Sequence, residues 1–146
     1  MSTFGKTIAT ATISAAMIFT GVSFAQAAPD SPREAEARAY IDALVSHDVT
    51  DVHFAPDATR VEAGIQTGFS GPQLSADLDH GVQYTVIQSV RDLRMTEEGD
   101  VVTAVYLLDA GVADTRLMTV EIRETFEIRD GLIHVIVADI MPVSLS

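Results

Sequence analysis

From Ala37 onward the apolar positions return every three to four residues. Ala37, Tyr40, Ile41, Leu44 and Val45 fall on one face of a predicted helix. Ahead of them, Ser31-Pro32-Arg33-Glu34 reads as a helix start. Ser31 caps, Pro32 takes the first helical position and Glu34 completes a capping box. The polar run HDVTD places the helix end near His47. Ser70-Gly71-Pro72-Gln73 repeats the start signal and predicts a short second helix to about His80, stopped by Gly81. From Val82 the helical period gives way to alternation. VQYTVIQSVRDLRM, VVTAVYLLD, RLMTVEIRETFEI and LIHVIVADIM are rich in Val, Ile, Tyr, Phe and Thr, and predict strands. Glu97-Glu98-Gly99-Asp100 and Arg129-Asp130-Gly131 separate them as hairpin turns, and Gly111 to Thr115 makes a third connection. Ala58 to Gln66 predicts a further strand ahead of the second helix. Helices first and an antiparallel meander after them predict an α+β domain, with the helices on one face of a curved sheet.

The strand faces refine this picture. In RLMTVEIRETFEI, Met118, Val120, Ile122, Phe126 and Ile128 share one side, and Thr119, Glu121, Arg123, Thr125 and Glu127 share the other. One face is buried and the other is wet or meets a polar partner. Glu124 interrupts the apolar side. In the last strand His134 alternates with Leu132, Ile136 and Ile140, while Asp139 joins Ile133, Val135 and Val137. An ionisable group on an apolar face needs a partner or a wet cavity.

The first residues change the picture of where the protein acts. Lys6 is the only charge before Asp30, an apolar, small-residue run follows from Ile8 to Phe24, and Ala25-Gln26-Ala27 gives a small-x-small cleavage pattern. This predicts a secretory signal peptide over residues 1–27 and an exported, soluble domain over residues 28–146, periplasmic or secreted. With no cysteine there is no disulfide and no thiolate metal site, so packing must hold the fold. The formal net charge of −12 excludes nucleic acid and anionic membrane as natural partners. No glycine-rich phosphate loop is present, and no cofactor is expected.

With this layout the chain resembles the SnoaL-like branch of the nuclear transport factor 2-like superfamily, from AYIDALVSHDVTDV through FAPDATRVEAG and TGFSG to the meander. Those two blocks resemble a bacterial secreted branch of that group. The resemblance implies a cone-shaped fold, a central pocket and a homodimer. It does not imply one reaction, since such folds host isomerases, cyclases, hydrolases, dehydratases and proteins without catalysis. YIDALVSHD is similar to the first helix of ketosteroid isomerases, where a tyrosine at the position of Tyr40 supports the oxyanion hole. DATRVE then places Glu62 where those enzymes keep a general-base carboxylate. Counting back from Gly131, the position of their protonated aspartate falls at about Arg123, a permanent cation.

Individual residues carry two readings each. Glu62 is a general base at a pocket mouth, its pKa raised by apolar walls, or a solvent-facing carboxylate on an edge strand. Tyr40 lies in the core with its hydroxyl as a structural bond or an oxyanion donor, and Tyr84 shares that ambiguity. Asp139 is a second acid/base group or orienter, because an ionisable group among valines calls for a reason. His134 and Glu124 join Tyr84 as candidate ligand contacts, with a satisfied histidine and an edge pair to Arg123 or Arg91 as their structural alternatives. His47, Asp48, Asp51 and His53 match no ligand spacing, so no metal is expected, and Asp57 is read as a turn cap. The sequence thus predicts a pocket for a small, mainly apolar molecule, with cofactor-free acid/base catalysis through Glu62, Tyr40 and Asp139. The alternatives are a non-catalytic ligand carrier and a protein-interaction module.

Overall fold

The computed structural model describes residues 28–143; the expected signal peptide and its cleavage site lie outside the described residues. The Ser31 side chain accepts from the Glu34 backbone N–H while the Glu34 carboxylate accepts from that of Ser31, and this box opens α1, Pro32–Ser46. The helix closes at His47, held at φ 60° in the left-handed region. Its ring nitrogen Nδ1, 3.0 Å from the Leu78 carbonyl oxygen, ties that end of α1 to the second helix. Ala37, Tyr40, Ile41, Ala43 and Leu44 face the core. Val45, expected on this face, is exposed because the buried stripe is rotated towards Ala43.

The second helix, α2 (Gly71–His80), starts where the Ser70 hydroxyl accepts from the Gln73 N–H. The sheet has six strands: β1 (Phe54–Glu62), β2 (Ile65–Gly68), β3 (Ile87–Glu98), β4 (Val101–Val112), β5 (Thr115–Arg129) and β6 (Leu132–Pro142). Their order is β2-β1-β6-β5-β4-β3. β1 and β6 run parallel and the other pairs antiparallel, so the sheet is mixed rather than wholly antiparallel. The single strand expected over Ala58 to Gln66 is a hairpin, turning at Ala63 and Gly64 with φ of 49° and 79°. Asp57 lies exposed within β1 rather than capping a turn. The strand expected from Val82 begins at Ile87, because Val82–Tyr84 forms one 3-10 turn.

Both helices precede the meander and cover the concave face of the sheet. Phe126, Ile128, Ile133, Ile136 and Val102 meet Ile41 and Leu78 in the main core. The Tyr40 ring stands edge-on to Phe126 at 5.3 Å and to Phe54 at 6.2 Å. One irregularity positions the site. Between Glu127 and Ile128 the β5–β6 register shifts, so that Glu127 faces Val135 but Ile128 faces Ile133. The extra residue reverses the alternation of β6, and Ile133 and Ile136 are both buried although three positions apart. Everything beyond the bulge follows the new parity.

Candidate active site

β1 passes between β2 and β6, so it is an inner strand and its alternation carries Arg60 and Glu62 to the same side. β5 presents Val120, Ile122 and Glu124 inward, and β4 presents Tyr106 and Leu108. α1 brings Tyr40 and Leu44 over them, and the 3-10 turn adds Gln83 and Tyr84. Together these enclose a cavity of about 240 Å³. The chain has three tyrosines, and all three line it alongside two glutamates. Depressions elsewhere on the described surface are more open and have no buried acid in their walls.

Arg60 lies beside the cavity, 1% exposed. Its Nε donates to the Thr67 hydroxyl at 3.0 Å and stands 3.5 Å from Glu62 Oε2. Nη1 donates to the Tyr40 hydroxyl at 3.4 Å, and Nη2 to Asp77 Oδ2 and the Thr67 carbonyl oxygen, each at 3.4 Å. The guanidinium also lies 5.7 Å from the centre of the Tyr84 ring. Thr67 in turn donates to Glu62 Oε2 at 2.7 Å, so the half-buried Glu62 is fixed from two sides at the cavity wall.

Glu124 sits in a different environment. It is 2% exposed, accepts from the Tyr106 hydroxyl at 2.8 Å, and pairs with neither Arg123 nor Arg91. Burial pushes its carboxyl up to about 8; the nearby Glu62 pushes the same way, while the Tyr106 bond and Arg60 oppose. At neutral pH Glu124 is therefore a neutral acid with a proton to give. Burial raises the phenols of Tyr40, Tyr84 and Tyr106 as well, so all three remain protonated donors. The buried Tyr84 hydroxyl has no hydrogen-bond partner among the described residues.

The structure brings Tyr40, Glu62, Tyr84 and Glu124 to one cavity. It places Asp139 outside, exposed and opposite Arg123 in the β5–β6 register, while Ala138 and Ile140 face in. The register shift is the reason: counted from Ile133, Asp139 belongs to the buried side, and the bulge turns it outward. His134 is half buried at that bulge and does not line the cavity. Arg123 is exposed, and the inward acid is its neighbour Glu124. Tyr106, Gln83, Asp77 and the depth of Arg60 had no place in the expected site. Tyr106 was open to discovery, since it alternates with Val102, Ala104 and Leu108. The loop after α1 disperses its polar groups: His53 Nδ1 is 3.1 Å from Glu36 Oε2, and His47 reaches α2.

A curved sheet wrapped around a cavity beneath N-terminal helices defines the nuclear transport factor 2-like fold, and this is the class to which the architecture belongs. Within that class, the chain belongs to the family described as Domain of unknown function (DUF8021), whose model matches residues 26–140. Among solved structures, it is similar to an M. tuberculosis LEH-like epoxide hydrolase. The TM-score is 0.62 at 17% identity, covering 75% of this chain and 82% of that one. A nuclear transport factor 2-like protein of unknown function from Burkholderia xenovorans matches with TM-score 0.60 and 12% identity, over 79% of this chain and 87% of that one. A protein with a ketosteroid isomerase-like fold from Catenulispora acidiphila, in complex with trimethylamine, matches with TM-score 0.53 and 20% identity, over 70% and 82%. At these identities the likeness is one of fold. No curated protein matches the chain by sequence.

Proposed function

We propose that this protein binds a small, mainly apolar molecule carrying an oxygen function and acts on it by cofactor-free acid/base chemistry, as an isomerase, hydrolase or dehydratase does. The observation that carries this reading is the pair of unlike carboxyls on one apolar cavity. Glu124 is buried and neutral with a pKa of about 8, whereas Glu62 stands at the wall beside a guanidinium. Two carboxyls in environments this different take opposite roles. Glu62 is the base that removes a proton from the ligand or from water. Glu124, oriented by Tyr106, is the acid that delivers one to a developing oxyanion. Tyr40, whose hydroxyl oxygen already accepts from Arg60, keeps its own proton free for that oxygen. The similar structures include an epoxide hydrolase and a ketosteroid isomerase-like fold, which supports this class of chemistry.

The test is turnover of a panel of epoxides, enones and β-hydroxy carbonyl compounds by the purified domain. Glu62→Gln and Glu124→Gln should each lower kcat roughly 10²- to 10⁴-fold for any compound the wild type converts. Binding without conversion by the wild type would replace the enzyme with a carrier.

The same reading includes export and dimerisation. The leader pattern of residues 1–27 supports the first. The exposed Val137 and Met141, on the sheet face away from the cavity, support the second. The N-terminal residue of exported protein and its mass by light scattering check the two directly.

A further inference from the structure

A buried arginine beside a ligand cavity ordinarily serves as a hook for carboxylate or phosphate. Arg60 is not free to do so. All three of its nitrogens donate within the protein, to Thr67, Tyr40 and Asp77, and Glu62 stands 3.5 Å away. It also stays behind the cavity wall rather than in it. Two carboxylates, Glu62 and Asp77, face this one guanidinium, so the local formal charge is already negative. An anion entering the cavity would meet the Glu62 side chain and the acid Glu124, and no unengaged cation lines the wall.

The unmet need of the cavity is of another kind. Tyr84 is 5% exposed, and its hydroxyl has no partner among the described residues. A buried hydroxyl without a partner is costly, and the cost is relieved by any acceptor placed against it. Elsewhere the cavity wall includes Leu44, Ile87, Leu108 and Ile122, which leave room for a hydrocarbon frame.

We propose that the cavity selects uncharged molecules over anions, and that Tyr84 anchors the ligand by donating to a single carbonyl-type oxygen on an apolar frame. This rests on the reading of the cavity as a ligand site and adds the charge class and the anchor. Because burial raises the Tyr84 phenol, the donor persists across the working pH range. The neutral carboxyl of Glu124 reinforces the choice, since it too has a proton to offer to a carbonyl oxygen.

Calorimetric titration near neutral pH with two probes of matched frame tests the proposal. The probes are cyclohexyl methyl ketone and cyclohexanecarboxylate. The ketone should bind, and the carboxylate should bind at least tenfold more weakly. Tyr84→Phe should weaken the ketone roughly three- to tenfold, the worth of one neutral hydrogen bond. Its melting temperature should not fall, because it loses a hydroxyl with no partner. Equal or tighter binding of the carboxylate overturns the proposal. So does an unchanged ketone affinity in Tyr84→Phe, or no binding of the ketone to the wild type. Turnover that depends on Glu62, found together with any of these results, would sink the selectivity argument and leave the acid/base reading standing.

Discussion

Arg60 and Glu124 show what a single residue can carry in this cavity and how unequally the sequence reveals it. Glu124 is legible from alternation alone, because it interrupts an otherwise apolar face of β5, and the structure finds it buried there. The burial of Arg60 is not legible. Its neighbours in ATRVEAG give no hint that Thr67, Tyr40 and Asp77, from three other segments, will surround it. That shell makes a prediction. Arg60→Met leaves Asp77 and Glu62 without their shared cation and should cost about 3–5 kcal/mol, the usual penalty for stranding one side of a buried ion pair. Arg60→Lys should recover only part of it, since a point charge cannot reach Thr67, Tyr40 and Asp77 at once. Urea unfolding measures both. A lysine variant with the wild-type midpoint would mean that the fork geometry does not matter.

At the scale of elements, local signals were readable and long-range ones were not. The starts of α1 and α2 are written in four residues each, since a cap involves only its own turn. The parallel pairing of β1 with β6 and the bulge at Glu127/Ile128 depend on chain segments far apart in sequence. The misplacement of Asp139 follows from that bulge: one extra residue reverses every later position of β6. Two substitutions probe the local layer. Ser31→Ala removes one half of the capping box and should cost about 1 kcal/mol, seen as a fall of a few degrees in Tm. Gly71→Ala should cost more. A Cβ there would lie 2.3 Å from the Ala55 carbonyl oxygen, so α2 could not keep its seat on β1. If Gly71→Ala melts with the wild type, the close approach of α2 to β1 is not what the structure shows.

For the whole molecule, two buried acids, one on each face of the sheet, pull stability in opposite directions as pH changes. In the folded protein Glu124 stays protonated up to about 8, whereas its unfolded counterpart ionises around 4.5. Between those values the unfolded chain has lost a proton that the folded one keeps, so stability declines as pH rises and levels off above 8. Asp109, on the outer sheet face, behaves in the reverse sense. The guanidinium of Arg91, then the hydroxyls of Thr119 and Ser89, hold its carboxyl below its ordinary 3.8. The stability it contributes is present above that value and is lost as pH falls further. A formal charge of −12 adds self-repulsion on the alkaline side of the profile. Stability should therefore peak on the mildly acidic side of neutrality, and each slope should belong to a named residue. Glu124→Gln should flatten the decline between about 4.5 and 8, becoming more stable than the wild type at the upper end if the amide keeps the Tyr106 bond. Asp109→Asn should lower stability at neutral pH while weakening the loss in acid. Denaturant unfolding across this range separates them. A Glu124→Gln profile parallel to that of the wild type would show that Glu124 is ionised in the folded protein, and the proton donor of the proposed chemistry would have to be sought elsewhere.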